Sequence, residues 1–275
     1  MSEVITAREK LKRRMEELNH EAKKSMGQNF LIADHVIEKI LTQAKVFADG
    51  GLVEIGPGLG AITDGLRLID PQLLAIEFDR GLAEYWRTKE LNVIEADALR
   101  VDWSQIPKHT LISNLPYQIA ASLVVELSIS PSKINSMVLM FQKEVAQRIA
   151  ADCTSDHYGF LSVIAQMFWD VKKVCEAGPG DFLPAPKIAS RVLSFQRKEN
   201  LAITDRLDFL KFVKGIFQSR RRQIKSILKS FMLEAHVEQS MNYFESKKKV
   251  PTVRTEELSP TEIQDFYLFY KGLLK

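Results

Sequence analysis

The segment Leu52-Val53-Glu54-Ile55-Gly56-Pro57-Gly58-Leu59-Gly60-Ala61 limits what this chain can fold into more than any other. A short apolar run ends in alternate glycines, and a helical pattern resumes at Thr63. Glycines at a strand-to-helix turn let the backbone approach a ligand closely, and open α/β sheets bind ligands at the carboxyl ends of their strands. Gly56 and Gly58 are therefore expected to line a nucleotide-type cofactor site. Glu77 closes the next apolar run, where a carboxylate can accept both hydroxyls of a ribose. The loop also satisfies the loose GxGxxA dinucleotide fingerprint, so the motif alone leaves nicotinamide binding open, and a tight turn without a ligand is the plain alternative.

Apolar runs at Leu52 to Ile55, Leu73 to Ile76, Asn92 to Glu95, His109 to Ser113, Met137 to Phe141 and Val192 to Gln196 read as strands. Helical patterns separate them, which implies an α/β fold: a mostly parallel, Rossmann-like sheet with helices on both faces. Val36, Ile37, Ile40 and Leu41 form the stripe of a helix over Asp34 to Ala44, with Asp34 as candidate N-cap. The first 26 residues read as a charged helix or arm, with Leu11, Met15 and Leu18 at helical spacing. Gly178 to Pro186 reads as a long loop, and after Lys198 the pattern turns helical. The expected organisation is an N-terminal arm over 1–26, a Rossmann-like domain over 27–199 and a small α-helical domain over 200–275.

Composition removes several classes of function. The two cysteines, Cys153 and Cys175, fit neither a metal-binding CxxC pair nor a disulfide framework, so no metal site and a reducing, cytoplasmic setting are expected. No apolar signal core opens the chain, the acids Glu3, Glu9, Glu16, Glu17 and Glu21 argue against a transit peptide, and the apolar runs are too short to span a bilayer. A net charge of +3 says little by itself, but its distribution is uneven. From Phe209 to Leu233 there are seven basic residues and no acid. Phe209, Phe212, Val213, Ile216, Ile224, Ile227, Leu228 and Phe231 read as the buried stripe of one helix, with Arg221, Lys225 and Lys229 on another face. A solvated face usually mixes signs, so this one is expected to contact the phosphates of folded RNA.

The run Leu111-Ile112-Ser113 ends in Asn114-Leu115-Pro116-Tyr117. An adenine amino nitrogen has its lone pair delocalised into the ring, so methyl transfer to it needs the nitrogen held and rehybridised more than it needs a strong base. Asn114 can accept from the amine through its side-chain carbonyl. Pro116, or the Leu115 carbonyl before it, supplies a second acceptor from a fixed backbone, and Tyr117 can stack on an extruded base. Taken alone the segment is also an ordinary strand-ending turn. Pro57 removes a donor that a pyrophosphate cradle would use, whereas S-adenosylmethionine has no phosphate and a cationic sulfonium. Asp97 lies just past the third run, placed either for the cofactor's adenine amine or to cap a helix. Neither cysteine lies in a nucleophile loop, so cysteine-mediated methylation of a pyrimidine carbon is not supported.

These motifs resemble those of the KsgA-type ribosomal RNA adenine dimethyltransferases over roughly residues 22 to 260. The resemblance rests on Lys23 to Leu31, Val53 to Gly60, Ile76 to Asp79, Asp97-Ala98, Asn114 to Tyr117 and Gln142 to Ala146. It continues through Tyr158-Gly159, Leu161 to Val163, Phe182 with Pro184, Pro186 and Lys187, and Phe217 with Arg220, Arg221 and Arg222. It implies S-adenosylmethionine as cofactor, contacted by Asn29, Leu31, Gly56, Glu77, Asp97 and Asn114, with Phe182 as the second face of a base sandwich opposite Tyr117. It further implies N6,N6-dimethylation of two adjacent adenosines near the 3′ end of small-subunit ribosomal RNA, within an immature subunit and by a monomer. Arg220, Arg221, Arg222, Lys225 and Lys229 would bind that RNA. The chain departs from the family at Gln118 and Ala120, where Asn and Ser are usual, at Arg222 for Lys and at Thr255 for Pro. An Erm-like enzyme acting on large-subunit RNA, and an assembly factor whose binding outweighs catalysis, are the competing expectations. A nicotinamide oxidoreductase is the remote third.

Overall fold

The computed structural model describes residues 5–19, 28–199, 201–219, 221–249 and 252–274; Lys23 to Gly27 and Arg220 lie outside them. Helix α1 (Ala7–Glu17) starts with a capping box, Thr6 Oγ1 accepting from the Glu9 amide while Glu9 accepts from the Thr6 amide. Strand β1 (Phe30–Leu31) and helix α2 (Asp34–Val46) follow. Asp34 is not the N-cap: Ala33 occupies that position, and Asp34 Oδ1 accepts from the Ala7 amide at 3.0 Å instead.

Strands and helices then alternate as β2 (Leu52–Ile55), α3 (Thr63–Ile69), β3 (Leu74–Glu77), α4 (Arg80–Thr88), β4 (Asn92–Glu95), β5 (Thr110–Ser113), α5 (Tyr117–Ile129) and β6 (Ser136–Gln142). After α6 (Lys143–Ile149) and α7 (Phe160–Phe168) come β7 (Trp169–Ala177), β8 (Phe182–Leu183) and β9 (Ser190–Arg197). The remainder is helical: α8 (Arg206–Ile216), α9 (Ile224–Leu228), α10 (Glu234–Ser246) and α11 (Pro260–Leu273).

The seven-stranded sheet has the order β4-β3-β2-β5-β6-β9-β7. Strands β4 to β6 pair in parallel, and β9 joins β6 antiparallel. All residues of β2, β3 and β5 are buried, so both faces of the sheet are covered, which is why these strands read as nearly unbroken apolar runs. The chain moves outward from β2 to β4, returns, and moves the other way from β5 to β6. This reversal leaves a crevice at the carboxyl ends of β2 and β5, the usual ligand position in such sheets.

Strands β1, β7 and β8 are not expected from the sequence. Strand β7 has no apolar run: Asp170, Lys172, Lys173 and Glu176 interrupt it, as suits a strand at the sheet edge. The segment read as a loop over 178 to 186 contains β8, which pairs antiparallel with β1, Phe30 opposite Leu183 and Leu31 opposite Phe182.

Two compact units result, one of residues 1–146 with 170–197 and one of residues 147–169 with 198–275. The second unit therefore includes α7, which falls inside the 27–199 span expected for the Rossmann-like domain. Aromatic packing explains it: Phe168 meets Phe209 edge-on at 6.1 Å, and the Tyr158 hydroxyl donates to the Leu258 carbonyl at 2.7 Å. The single basic helix expected from Phe209 to Phe231 is two helices. Gln223 bridges Arg254, and the Ile224 amide donates to the Val253 carbonyl at 2.8 Å, so tertiary pairing interrupts the helix. Arg221 and Arg222 thus precede α9, and Phe231 is 39% exposed while the other seven stripe residues are buried. Thr255, where the family favours Pro, is fully buried and donates through its hydroxyl to the Ile216 carbonyl at 2.9 Å. Among the described residues no helix is long and apolar enough to cross a membrane.

Candidate functional site

The site begins with one bond between strand ends. Ser113 Oγ donates to the Ile55 carbonyl at 2.5 Å, which sets the turn after β5 beside the turn after β2. The Gly56 amide donates to the Ile76 carbonyl at 2.8 Å and joins the same turn to β3. Gly56 has φ +65, a left-handed conformation that costs glycine nothing and L-residues a great deal. The three strand ends enclose a cavity of about 370 Å³ lined by Gly56, Gly58, Glu77, Asp97, Asn114 and Tyr117, among others. Its size suits a nucleoside-sized ligand.

Glu77 is 6% exposed at the end of β3. Its Oε1 accepts from the Asp79 amide at 2.8 Å and its Oε2 from the Gly58 amide at 3.3 Å, so each oxygen keeps further lone pairs for a ligand. Burial raises its pKa, and those two amides partly offset the rise. Asp79 in turn caps α4, accepting from the Gly81 and Leu82 amides. Asp97 lines the same cavity half-exposed, with Oδ1 accepting from the Leu99 amide at 3.0 Å; it caps a turn and not a helix.

Asn114 donates through Nδ2 to the Asn29 carbonyl at 3.3 Å, which leaves Oδ1 as the acceptor end of the amide. Pro116 is the N-cap of α5, and Tyr117, its first residue, is half-buried with its hydroxyl 2.8 Å from Ser190 Oγ. Burial raises the pKa of that phenol, so it stays neutral. Asn29 and Leu31 both line the cavity.

Phe182 is placed elsewhere. It is 3% exposed, packs in the core with Leu31, Val36 and Ile40, and does not line the cavity. Pairing of β8 with β1 turns it inward, a relation that depends on a two-residue strand the sequence did not disclose.

Sequence reasoning assigned no role to Glu54, Phe30 or Phe78, all of which line the cavity. Glu54 is fully buried in β2, and neither carboxylate oxygen has a hydrogen-bond partner. Burial pushes its pKa up to about 8, and the nearby carboxylates of Glu77 and Asp64 add repulsion; the adjacent Thr63 hydroxyl donates to the Pro57 carbonyl instead. An acid inside an otherwise apolar run, directly before the glycines, was the available signal. Phe78 is 66% exposed beside Glu77, a position no periodicity marks.

The residues present fit S-adenosylmethionine. Two orphaned carboxylate oxygens in the wall call for a cation, which its sulfonium and α-ammonium provide. Pro57 in the wall lacks the amide donor that a backbone pyrophosphate cradle would use, which argues against a nicotinamide dinucleotide.

The switch-point cavity, acidic wall and strand-ending Asn114 together define an S-adenosylmethionine-dependent methyltransferase. The profile of the family described as ribosomal RNA adenine dimethylase matches residues 19–264. The chain is 47% identical over 266 residues to ribosomal RNA small subunit methyltransferase A of Bdellovibrio bacteriovorus, covering 95% of this chain and 97% of that one. It is 37% identical to the protein of the same name from Hahella chejuensis, covering 91% and 93%. In fold it is similar to a dimethyladenosine transferase from Plasmodium falciparum, with TM-score 0.75, 23% identity and 88% and 98% of the two chains covered. The 23S rRNA methyltransferase ErmE has TM-score 0.67 at 21% identity, covering 90% and 100%. The chain belongs to the ribosomal RNA adenine dimethylase family, and its activity is S-adenosylmethionine-dependent dimethylation of adenine in ribosomal RNA.

Proposed function

We propose that the chain dimethylates the N6 amines of two adjacent adenosines near the 3′ end of small-subunit ribosomal RNA, acting in the cytoplasm as a monomer on the immature subunit. The observation that carries this reading is Asn114, oriented by the Asn29 carbonyl in the wall that also holds Glu54 and Glu77. The high identity to relatives named for the small subunit favours that RNA over the large-subunit alternative.

When bound, the cofactor supplies a methyl group on a cationic sulfur. Glu77 accepts its ribose hydroxyls, Asp97 its adenine amine, and Asn29, Leu31, Gly56 and Gly58 form the surrounding wall. Asn114 Oδ1 accepts one N–H of the target amine, and the carbonyl of Leu115 or Pro116 accepts the other. Two acceptors on the N–H groups draw the nitrogen lone pair out of the ring and toward the methyl. The Tyr117 ring, anchored through Ser190, stacks on the base. Phe182 supports Leu31 from the core and leaves that stack one-sided. A second methylation requires the monomethylated amine to rotate and present its lone pair again, so some slack beside Asn114 is needed.

In the second unit, Arg221, Arg222, Lys225 and Lys229 are exposed on a stretch free of acids and bind RNA phosphates. Arg220 is assigned with them from sequence alone. Methylation of immature small subunits against naked large-subunit RNA, with mass spectrometry of the digested product, tests the reading. Dimethyladenosine at adjacent positions in the small-subunit RNA is expected; product from the large-subunit RNA alone would overturn it.

A further inference from the structure

Helix α1 precedes the segment matched by the family profile, which begins at residue 19. It nevertheless packs on the back of the cofactor turn. Leu11 is 4% exposed and clusters with Phe30, Leu59 and Leu82. One turn on, Arg14 Nη1 donates to the Leu59 carbonyl at 2.8 Å, while Nη2 lies 2.8 Å from both carboxylate oxygens of Asp64 in the first turn of α3. The guanidinium also sits over the Trp86 ring at 5.3 Å, and Trp86 Nε1 donates to the Gly58 carbonyl at 2.8 Å. Gly60 makes room for this arrangement: a Cβ there would fall 2.1 Å from Arg14 Nη1.

Consecutive carbonyls of the glycine turn, those of Gly58 and Leu59, are thus each bonded by a side-chain donor. A peptide plane held at its carbonyl cannot rotate freely: the Leu59–Gly60 plane held by Arg14 carries the Gly60 amide, which donates to the Pro57 carbonyl at 2.8 Å, and the Pro57–Gly58 plane so fixed carries the Gly58 amide directed at Glu77 Oε2. Asp64 neutralises the guanidinium, so the brace adds no net positive charge next to a site built for a cation. The rigid planar fork lets Nη1 hold the carbonyl while Nη2 holds the carboxylate in one fixed geometry, whereas an ammonium must share a single nitrogen between them.

We infer that Arg14 is a positioning residue for the cofactor, holding the Leu59 carbonyl so that the glycine turn keeps its ligand-accepting shape. The inference rests on the cavity being the S-adenosylmethionine site. In the full-length protein, Arg14→Ala and Arg14→Lys are compared with Glu77→Ala by steady-state methylation kinetics, calorimetric titration of S-adenosylmethionine and thermal unfolding. Both Arg14 variants are expected to raise KM and Kd for S-adenosylmethionine about tenfold, with KM for RNA unchanged and kcat at saturating cofactor within about twofold. Lower kcat and Tm with an unchanged cofactor KM would mean a merely structural role and overturn the inference. Arg14→Lys keeps the ion pair with Asp64 and decides the matter if Arg14→Ala fails to fold; a wild-type cofactor KM in Arg14→Lys overturns the brace. Unimpaired cofactor binding in Glu77→Ala would instead overturn the assignment of the cavity.

Discussion

Asn114 at the end of β5 donates its side-chain amide to the Asn29 carbonyl at 3.3 Å, a partner 85 positions earlier in the chain. The residue read as the amine acceptor is therefore aimed by the segment entering β1, and the Asn29 contact does more than line the cavity. Replacing Asn114 with Ala removes the acceptor. Asn114→Asp keeps acceptors but loses the donor to Asn29, leaving a carboxylate against a carbonyl. Both variants should lower the single-turnover methylation rate by about 10²-fold or more. A change confined to KM for RNA would show that Asn114 binds substrate without assisting transfer.

Tyr117 separates two contributions. Tyr117→Phe keeps the ring and loses only the contact with Ser190, so kcat/KM should fall by about fivefold, equivalent to about 1 kcal/mol. Tyr117→Ala also loses base stacking, worth about 1–3 kcal/mol more, and should be the worse variant on RNA while S-adenosylmethionine affinity holds. Equal defects in the two would argue that the hydroxyl, and not the ring, matters.

Glu54 makes stability depend on pH. Its folded-state pKa of about 8 exceeds the ordinary carboxylate value of 4.5, so the folded chain holds more protons than the unfolded chain between these values. The stability this group contributes is complete below about pH 4.5 and is lost as pH rises through about 8. Glu54→Gln abolishes the titration. Its unfolding free energy, measured in denaturant without cofactor, should match wild type near about pH 4 and exceed it by a few kcal/mol at about pH 8 to 9. A gap independent of pH would mean that Glu54 ionises as freely as a surface acid.

Charge reversal at Arg221 and Lys225 should weaken RNA binding and reduce the slope of log K against log salt by roughly two, since two phosphate contacts are lost. S-adenosylmethionine affinity should be unchanged. Filter-binding or fluorescence titrations across a salt series provide the measurement, and an unaltered slope would remove these residues from the interface.

Much of the sheet, and the turns that enclose the cavity, could be read directly from the chain. Fully buried parallel strands produce nearly unbroken apolar runs, so β2, β3 and β5 were visible, and with them the turns carrying Gly56, Glu77 and Asn114. Glu54 stood in plain view in the first of these runs but carried no legible role, because its isolation from hydrogen-bond partners exists only once the cavity closes around it.

What the sequence determined by itself was therefore local: which runs are strands, where glycine is needed, and which polar residues end a strand. Tertiary structure alone decided how distant segments meet. It made β7 a strand despite its charges, split the basic stretch between α8 and α9 through Gln223 and Val253, and turned Phe182 into the core through pairing with β1. It also set Arg14 against Leu59, 45 positions away. Periodicity records the average environment of neighbouring residues, whereas each of these outcomes depends on a backbone or side-chain partner far along the chain.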